Sequence, residues 1–195
     1  MNRSLLPLSL LLTAVASPAL AHTGVGGGAG FATGFGHPLG GLDHILAMVA
    51  VGFLAAQMGG RMLWALPLAF LGMMVVGGAV GMAGIGVPFV ELGIVGSIIV
   101  FGAVIAFGRT LPLGAAVVLV GAFAIFHGHA HGTEMPADAS GFAYGAGFLL
   151  ATAILHAIGI GIGVAAQMTS AAFGKTAVRA GGGAIALAGV ALLVL

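Results

Sequence analysis

Charge is almost missing from this sequence. Charged residues make up 5% of the 195 positions, five basic and four acidic, where a soluble domain carries about 25%. A chain this poor in charge cannot coat a globule with polar surface, and hydrophobic residues are 61% of it. The reading is an integral membrane protein. The scarcity of Lys and Arg, with no basic cluster, excludes nucleic acid as a partner. Cysteine is absent, which excludes a disulfide framework and a thiolate metal site. Any metal must be held by nitrogen, oxygen or thioether. The His-Glu-x-x-His signature of zinc proteases is also missing. Gly174-Lys175-Thr176 resembles the end of a phosphate loop, but Thr169 stands where the first glycine belongs. No nucleotide site follows, so the chain is not a pump by itself.

What is present is a series of apolar segments, each near the roughly 20 residues that cross a bilayer. At the start, Arg3, an apolar run from Leu5 to Ala16 and then Pro18-Ala19-Leu20-Ala21 fit an export signal. Cleavage after residue 21 would leave His22 as the exported N-terminus. A glycine-rich stretch from Gly24 to Gly36 reads as a flexible lead. The all-α fold expected after it is a bundle of six transmembrane helices within residues 22–195, spanning Pro38 to Gln57, Met62 to Met82, Pro88 to Phe107, Leu111 to His127, Phe142 to Met168 and Thr176 to Leu195.

Loop charges test that count, because basic residues collect on the cytoplasmic side. Arg61, Arg109, Lys175 and Arg179 all fall on one side under this threading, and Glu134 and Asp138 on the other. Both termini then face outward from a bacterial inner membrane. The 37 glycines include Gly77-x-x-x-Gly81 and Gly159-x-x-x-Gly163, spacings that let transmembrane backbones approach closely.

Against this background two strings stand out: His37-Pro38-Leu39-Gly40-Gly41-Leu42-Asp43-His44, and His127-Gly128-His129-Ala130-His131 with Glu134. Intramembrane ionisable groups are costly and mark ion or substrate paths. On a single helix beginning outside near His37, with Pro38 in its first turn, Asp43 and His44 lie about 9 to 10 Å further along the axis. His37 and His44, seven apart, then share nearly one face. Glu91 opens the third span on the same side, His127 closes the fourth, and His129, His131 and Glu134 follow in the outer loop. His156 alone sits deeper, within the fifth span. Imidazole and carboxylate suit first-row divalent ions such as nickel, cobalt and zinc. Nine methionines invite a copper site, but most lie among apolar neighbours; Met48, one turn after His44, is the one near the histidines.

Each feature also has a plainer reading: a helix cap for His37, an interhelical hydrogen bond for Asp43 and His44, a solvated loop for the His-x-His-x-His string, a packed core histidine for His156 and a helix N-terminal carboxylate for Glu91. Placement of both strings at one outer mouth favours a metal path. His22 and its free α-amine would add a chelating arm.

The pattern His37-Pro-x-x-Gly-x-Asp43-His44, together with His127-Gly-His-Ala-His131-Gly-x-Glu134 and a later histidine-bearing helix at His156, closely resembles the HupE/UreJ family of membrane proteins across essentially the whole mature chain. The resemblance implies a secondary nickel or cobalt permease, tied to hydrogenase or urease maturation or to cobalamin. It carries metal roles onto His37, Asp43 and His44 and onto His127, His129, His131 and Glu134. The larger nickel and cobalt permeases use His-x4-Asp-His, whereas five residues separate His37 from Asp43 here, a similar chemical solution without implied kinship. No tightly bound cofactor is expected; the ion is the substrate, the bilayer the surroundings. Two rivals stay open: an intramembrane zinc hydrolase, and an outward-facing metal-binding or delivery protein without flux.

Overall fold

The computed structural model describes residues 30–135, 141–169 and 171–194. Within them the fold is helical throughout: α1 (Phe31–Gly40), α2 (Leu42–Met58), α3 (Met62–Met82), α4 (Val90–Ala106), α5 (Leu113–Thr133), α6 (Gly141–Gln167) and α7 (Ala171–Val194). Four of these, α3, α5, α6 and most of α7, are long and apolar enough to cross a membrane; α1 with α2 forms a bent pair, and α4 is a shorter apolar helix. The predicted export signal and His22 lie outside the described residues, as does Asp138.

Three expectations need correcting. The first predicted span is not one helix. Gly41 adopts an extended conformation (φ −108°, ψ 124°), and α1 and α2 meet there at 87°. Pro38 therefore sits near the end of α1, inside the helix rather than in its first turn. His37 and His44 are consequently on different helices, and part of the supposed flexible lead, from Phe31 onward, is helical. Third, the fourth predicted span does not stop at His127. It continues to Thr133, and the Glu134 N–H still donates to the Ala130 carbonyl at 3.0 Å, so the histidine string is helix and not loop.

Packing follows the glycines. α3 lies along α5, α2 and α1 along α6, and α4 along α7. A β-carbon at Gly128 would collide with the Met74 carbonyl, and one at Gly52 with the His156 carbonyl. These helices touch backbone to backbone, as small residues permit in a membrane. Gly77 and Gly81 do the same against α5 and Gly159 against α2, while Gly163 makes room for the Ala56 and Phe53 side chains of α2. The interior is filled by Met48, Leu54, Leu66, Phe70, Ile98 and Phe101, all fully buried. Large apolar side chains such as Trp64, Leu68, Val118, Phe142 and Leu187 face outward. An apolar exterior of this extent fits lipid rather than water as solvent.

The two ends of the bundle differ chemically. At one, the Gln57 amide donates to the Arg109 carbonyl at 3.1 Å, and the Arg179 guanidinium packs on Gly108, its Nε 2.7 Å from where a β-carbon would be. Arg109 and Arg179 thus share one end of the bundle, in line with the grouping of basic loops read from the sequence. The histidines occupy the other half.

Candidate metal centre

The bend at Gly41 brings the first string together. Asp43 opens α2, and its Oδ1 accepts both the His44 backbone N–H at 2.9 Å and the His44 Nδ1 proton at 2.8 Å. A carboxylate accepts only, so His44 carries its proton on Nδ1 and leaves Nε2 bare. That Nε2 is buried with no partner among the described residues. A β-carbon at Gly41 would stand 2.6 Å from Asp43 Oδ1 and 3.0 Å from His44 Nδ1, so a side chain there would push this pair from its present position.

Continuation of α5 sorts the second string. Residues four apart share a helical face and residues two apart do not. His127 and His131 face the α1–α2 corner. His131 meets His37 with ring centroids 4.8 Å apart and His44 at 4.3 Å; His127 meets His44 at 5.3 Å. His129 points elsewhere: its Nε2 donates to the Ile85 carbonyl at 2.8 Å, tying α5 to the turn after α3. The helix turns the His129 ring away from the other two, and its Nδ1, like that of His127, is buried without a partner among the described residues.

At the outer edge, one ligand atom each from His37, His131 and Glu134 lies within 4.8 Å of the others. His37 Nε2 and Glu134 Oε2 are 3.4 Å apart. Deeper in, Phe70 separates two rings, 5.4 Å from His127 and 5.1 Å from His156 by centroid. The order is a descent from His37 and Glu134 through His131, His44 and His127 to His156. Both nitrogens of His131 and of His156, and Nδ1 of His127, are buried without a partner among the described residues. Leaving a buried polar atom unpaired costs about 1–3 kcal/mol, so these nitrogens, with the Tyr144 and Thr152 hydroxyls that are likewise unpartnered among the described residues, need a ligand or water to explain them.

The structure does not bring Glu91 to this line. It is exposed in the first turn of α4 and, like His44, His127 and His156, lies outside the group of ligand atoms at the mouth. Asp43 is held against His44 instead of standing beside it as an independent donor. Met48 is fully buried in the apolar core.

Residues the sequence did not flag complete the site. Phe70, Tyr144 and Phe148 wall it, the last with its ring 4.1 Å from His131. Ser97 on α4 reaches His127 at 3.0 Å. Its signal was being the lone hydroxyl within an apolar helix, the same kind of anomaly that drew attention to the histidines. Beside His131 a mostly apolar cavity of about 500 Å³ opens between α3, α5 and α6, lined by Met74, Met82, Met135 and Phe142 among others.

An all-helical, multi-pass membrane bundle with a file of histidines inside one half is the class of protein these features define. The sequence profile of the family described as HupE / UreJ protein matches residues 10–192. Protein HupE of Rhizobium leguminosarum bv. viciae is 46% identical over 188 residues, covering 96% of this chain and 97% of that protein. The chain belongs to the HupE/UreJ family. No solved structure matches it.

Proposed function

We propose that the chain is a secondary importer of a divalent transition-metal ion, nickel or cobalt, in a bacterial inner membrane. In this reading residues 1–21 are a cleaved export signal, residues 22–195 the permease, and the histidine end faces outward. The ion leaves water at His37, His131 and Glu134, shifts to His44 and His127, and then to His156. The observation that carries this is the set of buried imidazole nitrogens with no partner among the described residues. A conduction path needs several moderate sites, since one strong cage would trap its ion. Imidazole with a single carboxylate fits nickel and cobalt without selecting between them. The basic end of the bundle then faces the cytoplasm, as the positive-inside rule requires. His22 and its α-amine would act as an outer collecting arm. Asp43 serves through His44. No enzymatic step and no nucleotide is needed.

A second reading has one observation in its favour. Two imidazoles and a carboxylate at the mouth are the donor set of hydrolytic zinc with an open position. That reading leaves His44, His127 and His156 unused. Purified protein in liposomes, given external nickel, cobalt or zinc, separates the readings. Accumulation of nickel or cobalt inside supports the importer; binding without accumulation contradicts it.

A further inference from the structure

Ser97 is fully buried, on a different helix from every histidine of the file. Its Oγ lies 2.6 Å from the Ile94 carbonyl and 3.0 Å from His127 Nε2. A hydroxyl has one proton to donate, and a carbonyl oxygen has none. If the Ser97 proton pointed at His127, two oxygen lone pairs would face each other at the shorter distance. The proton therefore goes to Ile94, and the Ser97 oxygen turns a lone pair toward the imidazole. His127 must supply the hydrogen of that contact, from Nε2. A neutral imidazole carries one N–H, so Nδ1 is left with its lone pair, buried and with no partner among the described residues.

The neighbouring ring is set the opposite way. Asp43 takes the Nδ1 proton of His44, which leaves Nε2 bare. Two perpendicular rings with centroids 5.3 Å apart thus carry their free lone pairs on different nitrogens, each set by the partner of the other ring nitrogen. Metal-binding histidines are commonly oriented in this manner by a hydrogen bond from the other ring nitrogen.

We infer that Ser97 is a positioning residue, holding His127 with its proton on Nε2 and making Nδ1 the donor atom of the inner station. The inference rests on the importer reading for the identity of the ion. Its first half stands apart from any metal.

The test is nitrogen NMR of the metal-free full chain in nanodiscs, with the His127 signals assigned by comparison with His127→Asn. Wild type shows His127 protonated on Nε2, Ser97→Thr keeps that state, and Ser97→Ala mixes the two tautomers. Nickel titrated into the same samples binds about tenfold or more weakly to Ser97→Ala than to wild type, the usual scale for loss of such a support, and Ser97→Thr recovers most of it. Finding the proton on Nδ1 in wild type overturns the assignment, whether or not any variant folds. Tight nickel binding by wild type and Ser97→Ala alike overturns the role of Ser97 alone. No nickel bound by wild type overturns the importer reading and the donor assignment together.

Discussion

At the mouth, His37 and His131 meet Glu134 in a half-open setting, and His131 has neither ring nitrogen committed among the described residues. One step inward, His44 and His127 are both committed, the first to Asp43 and the second to Ser97. The same side chain is used under two kinds of restraint. At the mouth, where Glu134 is exposed and His37 half-buried, an ion that still holds part of its water shell would fit. Rings locked by a second partner offer one nitrogen in one direction, which suits an ion that has already been stripped.

The comparison can be broken most sharply at the joint between the two stations. His131 contacts both His37 and His44, so His131→Asn should lower nickel uptake by about 100-fold, on the scale of losing a ligand plus its support; uptake in liposomes checks it, and a loss under threefold would separate the stations. Asp43→Asn keeps an acceptor but removes the charge behind His44. Uptake should fall about tenfold, with the outer site still binding nickel by calorimetry. Protons compete with metal for every imidazole, and the neutral form is the one that binds. Uptake should therefore fall as the solution is acidified, which a pH series of the liposome assay measures. Uptake that rises on acidification would argue against imidazole ligation. The smallest effect concerns His129. His129→Asn should leave uptake within about twofold and lower thermal stability by about 1 kcal/mol, the worth of one hydrogen bond.

Much of this was legible before any coordinates. The span Met62 to Met82 coincides with α3, and the gathering of basic residues at one end follows from loop charges alone. That His37, His131 and Glu134 meet was implied by putting both strings at one mouth. The bend was not legible, because Gly40-Gly41 inside an apolar run reads equally as a packing surface. Only the Asp43 and His44 side chains folding back on Gly41 show why the helix stops there. Extension of α5 to Thr133 was hidden by the polarity of its last two turns, which resembles a loop until Gly128 and Gly132 are seen pressed against α3. Once that helix is granted, the outward turn of His129 follows from spacing. Ser97 could be singled out as an oddity, but its partner lies 30 residues on along the chain and on another helix. No local pattern links the two.

Sequential use of the stations is the central claim, and His127→Asn in proteoliposomes tests it most directly, with bound nickel and internal nickel measured on the same sample. The account predicts that this variant still binds nickel at the mouth with near wild-type affinity while accumulation inside the vesicles stops. Accumulation at the wild-type rate without His127 would contradict it.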